Sequence, residues 1–417
     1  MPSVAEGEFM RRSITRAVRA AFVCTLAGGI GLGGVGFGET GMARAEANAR
    51  IGLVLVRDDD APIPLSRLED PADDQAIAGA EVAIADNSTT GRFLNQTYEL
   101  TVIPTAPDDA VAAVAEARAQ GIDFFAVAAE GPLLGDIAGA VPEALVFNIR
   151  ATDDSLRLAE CRPNLFHVAP SRAMKADALA QYLVWKKWTR WFLIHGSHPE
   201  DIAMAEAYRR AARKFGADIT EERVFEDTGG ARSSDSGHVL VQRQIPVFTQ
   251  NAKRHDVVIA ADENEVFGLY LPYRTWDARP VAGDAGLRAR DWHAGSEAWG
   301  GAQLQTRFEK HANRHMTGPD YLAWLALRVI GEAVTRTDSA APDTIRAYLR
   351  SDDFEIPGFK GLPLSFRPWN QQLRQGIMLA DGPLVVSVSP QDEFLHQRTQ
   401  LDTLGYDEPE TECSLAD

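Results

Sequence analysis

Four groups of residues carry side chains able to do chemistry, and their spacing limits what that chemistry is. Asp262-Glu263 sets two carboxylates side by side, fit to pair with a cation or to act as a general base. His195-Gly-Ser-His198 places two imidazoles across a turn. Asp58-Asp-Asp60 is either a solvated acidic run or a set of oxygen ligands for a hard cation. His311 and His315 have the i, i+4 spacing that can hold a transition metal on one helix face, but no third ligand stands near them. After residue 45 there is no G-x-S-x-G, Walker loop or Cys-His set, so no partnered nucleophile, nucleotide site or cofactor motif is in view. An enzyme using Asp262 or Glu263 as a base is the weakest reading.

Charge excludes another class. Lys and Arg number 42 against 59 Asp and Glu, a net charge of −17. Binding a phosphate backbone needs clustered cations, so nucleic acid is not a partner. Trp185, Trp188 and Trp191 with Lys186, Lys187 and Arg190 read instead as a helix-to-strand junction that packs its tryptophans inward. The acidic surface fits a soluble monomer.

Residues 1–45 are a different material. Arg11, Arg12, Arg16 and Arg19 precede the apolar, glycine-rich stretch Ala20 to Phe37, and Ala43-Arg-Ala45 is a small-x-small cleavage site. That pattern is a secretory signal peptide, cleaved near Ala45. The glycines dilute it below the roughly 20 strongly apolar residues of a membrane anchor. The Arg11-Arg12 pair also resembles a twin-arginine signal; without the following Phe and Lys, the general secretory route is the better reading. Gly31, Gly33 and Gly36 spell the dinucleotide fingerprint, but in a segment that export removes. Cleavage removes Cys24 and leaves Cys161 and Cys413, which an oxidising compartment favours as a pair. The loop closed would be about 250 residues, worth on the order of 5 kcal/mol in the chain-entropy account.

The remaining chain is long enough for two lobes. Strands alternate with helices: strand Ile51–Val56, helix Asp73–Asp86, strand Tyr98–Ile103, helix Ala110–Gln120, strand Phe124–Ala129, a short helix after Gly131, and strand Ala144–Ile149. Continuous apolar strands at this spacing mean an α/β, doubly wound open sheet. From Val146 to Leu183 the chain makes its first crossing between lobes, and the pattern restarts. Helix Ala173–Lys187, strand Arg190–Ile194, helix Pro199–Phe215, strand Ile219–Phe225, a helix around Val241–Lys253, strand Asp256–Ala260, a helix from Glu263 and a strand at Pro280-Val281 follow. Helices Thr306–Arg314 and Asp320–Val334 have no sheet of their own and return to the first lobe. Phe359–Phe366 and Gln375–Val388 read as a hairpin-like pair on the second. The expected division is 48–166 plus about 288–350 for lobe 1, about 167–287 plus about 351–390 for lobe 2, and an acidic tail 391–417 lying on the surface.

Two such lobes in an exported chain resemble the type I periplasmic substrate-binding proteins, the leucine/isoleucine/valine-binding branch, over nearly all of residues 48–390. Cys161-Arg-Pro-Asn-Leu-Phe-His, Trp185-Lys-Lys-Trp-Thr-Arg-Trp-Phe-Leu-Ile-His, Leu271-Pro-Tyr-Arg-Thr-Trp-Asp-Ala-Arg-Pro and Leu401-Asp-Thr-Leu-Gly are similar to the subgroup associated with PQQ-dependent alcohol oxidation systems. The resemblance implies a periplasmic component that closes by hinge bending on a small organic solute and delivers it to an ABC permease in the inner membrane. The rival within the same fold is a periplasmic sensor or accessory protein that binds a solute or metal ion for the oxidation system.

The resemblance also places a ligand at the carboxyl ends of strands and the N-termini of following helices. Glu130-Gly131-Pro matches a carboxylate-holding segment, with Leu133 and Leu134 where serines are usual. Ala151-Thr152 matches a small-residue-Thr pair, preceded by an unusually large Arg150, and Asp58 faces the same end. In lobe 2 it assigns His195 and His198 to a turn, Asp262 or Glu263 to an amino group, and Trp299 to an apolar wall. Bland readings stand beside these: Arg150 bridged to Asp153 or Asp154, Thr152 as a helix cap, and Asp262-Glu263 as a helix start. With Arg150, Leu133 and Leu134 in these positions, an ordinary branched-chain amino acid is a poor fit.

Overall fold

The computed structural model describes residues 46–57, 71–227, 235–413 and 415, for 235–239 the backbone alone. The expected signal peptide, Asp58 and the rest of its acidic run lie outside the described residues.

The first lobe is built on β1 (Ala47–Val56), followed by α1 (Ile77–Leu94), β2 (Gln96–Thr105), α2 (Ala110–Ala119), β3 (Phe124–Ala128), α3 (Gly131–Ala140), β4 (Leu145–Asn148), α4 (Ser155–Leu158) and β5 (Leu165–His167). The strands form one parallel sheet in the order β2-β1-β3-β4-β5. Along β1, Ile51, Leu53 and Leu55 enter the core on one face, Val54 and Val56 the core on the other. Burial on both faces is why this strand reads as a continuous apolar run. Helix α1 starts later and runs further than the sequence pattern indicated, to Leu94.

The second lobe contains α5 (Arg172–Trp185), β6 (Arg190–Gly196), α6 (Pro199–Phe215), β7 (Asp218–Phe225), α7 (Asp235–Thr249), β8 (Val257–Ala261), the single turn α8 (Leu271–Arg274) and β9 (Val281–Gly283). Its sheet is also parallel, β7-β6-β8-β9. Ser171 caps α5 by accepting the Met174 N–H at 3.3 Å. Pro199 opens α6, and Gly216, at φ 79°, ends it. Of the three tryptophans at the α5–β6 junction, Trp191 is buried but Trp185 is 42% exposed, so the inward packing holds for only part of the run.

The chain then runs through β10 (Arg288–Arg290), α9 (Gly301–Ala312), α10 (Gly318–Thr337), α11 (Pro342–Leu349), β11 (Ser365–Phe366), β12 (Leu373–Arg374), β13 (Ile377–Asp381) and β14 (Leu384–Ser389). Helices α9 and α10 return to the first lobe as the pattern indicated, α10 with a Thr317–Asp320 capping box. It lies so close to α1 that a Cβ on Gly79 would fall 2.0 Å from the Asp320 carbonyl oxygen.

Four expectations need correction. The expected 359–366/375–388 pair does not form: β11 pairs with β12, and β13 with β14 and β10. Phe354, Ile356, Leu364, Phe366 and Leu373 pack in the first lobe's core, so the return to the second begins near Ile377 rather than at 351. At its other end the switch falls between Ala289, against the second core, and Trp292, within the first. The expected helix from Glu263 is a turn, because Asp262 gathers the local N–H groups itself. The tail is not confined to the surface: Leu401 and Leu404 are buried, Leu404 in the second lobe's core.

The first and third crossings between lobes are stitched together. The His167 N–H bonds to the Gln371 carbonyl at 2.9 Å. Side-chain amides of Gln371, Gln372 and Gln375 donate to the carbonyls of Leu165 at 2.6 Å, His167 at 3.1 Å and Val168 at 2.6 Å. Arg157, buried, donates to the Gln372 side chain at 2.8 Å and to the carbonyls of Ala151 and Ala169 at 3.0 and 2.9 Å. These bonds satisfy backbone groups that no regular sheet would reach.

Candidate functional site

In the first lobe the turn after β4 is held by Asn148, which is fully buried. Its Oδ1 accepts the N–H groups of Arg150 at 3.0 Å and Ala151 at 2.8 Å, while its Nδ2 donates to the Ala151 carbonyl at 2.8 Å. The turn projects Arg150 outward, where it pairs with Glu130 at 2.6 Å, not with Asp153 or Asp154. Thr152 is half-buried and does not cap α4, whose cap position is Asp154; its carbonyl accepts the Arg172 N–H at 2.9 Å. The Asp153 carboxylate lies over Gly131 at the start of α3: a Cβ there would fall 2.4 Å from Asp153 Cγ. Glu130, Gly131, Arg150 and Asp153 thus share the carboxyl end of β3 and β4.

In the second lobe, Asp262 follows β8 and is 2% exposed. Its Oδ1 accepts the Val266 N–H at 2.9 Å, and its Oδ2 accepts those of Phe267 at 3.0 Å and Gly268 at 2.5 Å. Burial outweighs these bonds and pushes its carboxyl up to about 7. Asp284, beyond β9, accepts the Asp262 N–H at 2.8 Å, and its own carboxyl is raised by burial and by nearby Glu263. Asp201 in the first turn of α6 accepts the Asn264 N–H at 3.1 Å; burial raises it as well. His195 is buried, its Nδ1 2.7 Å from the Gly196 carbonyl and its Nε2 3.2 Å from Glu222. His198 is more open and pairs with Asp227 at 2.9 Å.

The two halves meet through Arg172, a residue the sequence reading did not assign. Its guanidinium grips Glu263 with Nε at 3.1 and 2.9 Å and Nη2 at 2.7 Å, and reaches Asp153 with Nη1 at 3.4 Å. One cation thereby joins the carboxyl end of β4 in the first lobe to that of β8 in the second. Burial opposes its charge, yet Glu263 and Asp153 outweigh that and hold the guanidinium above its usual range. A local signal existed. A cation in a helix's first turn opposes the helix dipole, so it requires anions from elsewhere.

Trp299 is not part of this group. Its backbone is left-handed (φ 49°), its side chain is 56% exposed, and it lines a separate crevice with Tyr348, Phe359 and Leu362. His311 and His315 each pair with a carboxylate, Glu81 at 2.7 Å and Glu309 at 2.6 Å. Among the described residues no group of three or more His, Cys, Asp or Glu side chains is arranged for a metal.

Comparisons with known proteins agree on the fold. Residues 68–236 match the family model described as periplasmic binding protein, and the two-lobe α/β fold is that of type I periplasmic binding proteins. Among solved structures, an ABC transporter substrate-binding protein from Sphaerobacter thermophilus superposes with a TM-score of 0.64 at 19% identity, covering 86% of this chain and 100% of that one. The closed form of a leucine-, isoleucine-, valine-, threonine- and alanine-binding protein from Brucella ovis gives 0.63 at 14% identity, covering 89% and 99%. An ABC transporter solute-binding protein from R. palustris in complex with benzoate gives 0.60 at 12% identity, covering 88% and 100%. No curated protein matches the chain by sequence.

Proposed function

We propose that this chain is the periplasmic solute-binding component of an ABC transporter, a non-enzymatic monomer that closes two lobes on a small organic solute and presents it to an inner-membrane permease. The observation that carries the reading is the convergence of the β3, β4 and β8 carboxyl ends on Arg172. Strand ends and helix starts from both lobes there face one another, as solute capture by differential affinity for a closed state requires. Solved proteins of the same fold are described as ABC transporter substrate-binding proteins, which supports the assignment.

Gly131, Arg150, Ala151, Thr152, His198 and Glu263 are the residues we assign to the mouth. Asp262 and His195 stand behind them, and Trp299 serves another surface. The Arg150–Glu130 pair is half-exposed, so a solute can replace either partner without leaving a buried charge. Glu263 is already held by Arg172, which disfavours a free ammonium group there. The link to PQQ-dependent alcohol oxidation rests on the sequence phrases quoted above.

Thermal-shift screening of the mature protein with alcohols, aldehydes, carboxylic acids, amino acids, and calcium or lanthanide ions tests the proposal. A rise in Tm with one organic class, lost in Arg150→Ala, is expected. A response to metal ions alone overturns it.

A further inference from the structure

The C-terminal segment is fastened to both lobes. On the second, Asp177 of α5 is fully buried and accepts the Gly405 N–H at 2.8 Å, the Lys214 ammonium at 2.7 Å and the Arg210 guanidinium at 3.1 Å. Lys214 also donates to the carbonyls of Thr403 at 2.8 Å and Gly405 at 2.9 Å, and Arg210 to that of Gly405 at 2.8 Å. The Arg210 guanidinium lies 3.9 Å from the centre of the Tyr406 ring. On the first lobe, Thr411 Oγ1 donates to the Arg157 carbonyl at 3.0 Å, and the Glu412 N–H to that of Leu158, also at 3.0 Å. Cys413 then forms a disulfide with Cys161, which lies between α4 and β5.

Residues 405–413 therefore run from an anchor in one lobe to a covalent bond in the other. Fully drawn out, this length spans at most roughly 28 Å. Its middle is coiled into one tight turn, Glu408–Glu410, capped by Asp407, so it holds some slack. Beneath it lies a crevice with Asp154 of the first lobe on one side, Ala207, Arg210 and Lys214 of α6 on the other, and Tyr406 and Glu410 as its cover. Because the walls belong to different lobes, rotating the lobes changes the distance this segment must bridge. Hydrogen bonds to Leu158 alone could open by local fraying. The disulfide keeps the first-lobe end attached in every hinge position.

We propose that residues 405–413 are a covalent strap that limits how far the lobes rotate apart, with the Cys161–Cys413 bond setting the widest opening. A restraint on open states raises the fraction of molecules competent to close, and apparent affinity follows that fraction.

The test is a distance measurement on the mature protein without added solute. Ketone-bearing residues placed at Phe93 in the first lobe and Val247 in the second, both well exposed, take spin labels without using cysteine. Pulsed electron resonance then compares the oxidised protein, the same protein reduced and alkylated, and a Cys413→Ser variant. Reduction breaks the S–S bond and leaves two thiols, which mass spectrometry confirms. The expected result is a distance distribution that broadens by several ångströms in both uncoupled samples. An unchanged distribution with the bond demonstrably open overturns the proposal, even if Tm falls, because a bond that only stabilises the fold moves Tm alone. Should Cys413→Ser fail to fold, the reduced protein gives the answer. The readout is independent of solute, so it stands or falls apart from the transport assignment.

Discussion

Replacing Arg172 by Met keeps the length of the side chain and removes a cation that joins the two lobes at the strand ends. The guanidinium is 8% exposed and the Glu263 carboxylate 22%. Removing one partner of a buried ion pair costs roughly 3–5 kcal/mol, because the other is left charged in a poor solvent. Some water reaches Glu263, which places the loss near the lower end, about 3 kcal/mol. That is more than a hundredfold in the folded-to-unfolded ratio, since ~1.4 kcal/mol is tenfold. Urea denaturation at pH 7, followed by far-ultraviolet circular dichroism and tryptophan fluorescence, measures it. The double variant Arg172→Met/Glu263→Leu should regain most of the loss, with a coupling of at least ~1 kcal/mol in the cycle, because the more tightly gripped carboxylate is gone and only the more exposed Asp153 loses its partner. A single variant within about 0.5 kcal/mol of the parent would show the pair to be solvated and would refute the reasoning.

Three further outcomes are expected. Gly79→Ala drives a methyl group into the Asp320 carbonyl and should cost at least ~2 kcal/mol by forcing α1 from α10, read by the same denaturation. Lys360 is fully buried, its ammonium 2.8 Å from the Gln375 side-chain oxygen, and burial lowers it from 10.5 to about 7. Between those values the unfolded chain holds a proton that the folded protein lacks, so this residue makes stability rise with pH by up to ~1.4 kcal/mol per unit. Lys360→Met should flatten that slope, and a melting series from pH 7 to 10 checks it. Asn148→Ala removes the bonds that shape the Arg150–Ala151 turn; titration calorimetry with the solute found by screening should show at least about a tenfold weaker affinity.

The parts of this fold legible in the sequence are those specified by neighbours in the chain. The parallel strands β3 and β8, and Ile51–Val56 of β1, are unbroken apolar runs, and Pro199 and Gly216 mark the two ends of α6. What stayed hidden depends on distant partners. Strands β11 and β12 are two residues each, too short for any period to register, so the sequence pattern points to a different pairing of the segments around them. Helix α11 is a short amphipathic helix opened by Pro342 that no run of apolar residues announces. Asp262 reads as a free carboxylate until three N–H groups, four to six residues on, are seen to converge on it. Arg172 finds Glu263 across 91 positions, and only the fold brings them together.

The glutamine stitching between the first and third crossings has a mechanical consequence. Two chains bonded along Leu165–Val168 and Gln371–Gln375 resist sliding past each other and bend together, as a laminated strip does. Such a strip yields about one axis and is stiff to torsion, so the lobes should open along one arc. Gln372 and Arg157 sit at its centre, each buried and each bonded to both layers or to its mate. In the hinge motion we propose, the direction of opening is set by three side-chain amides together with the Arg157 guanidinium bonded to one of them.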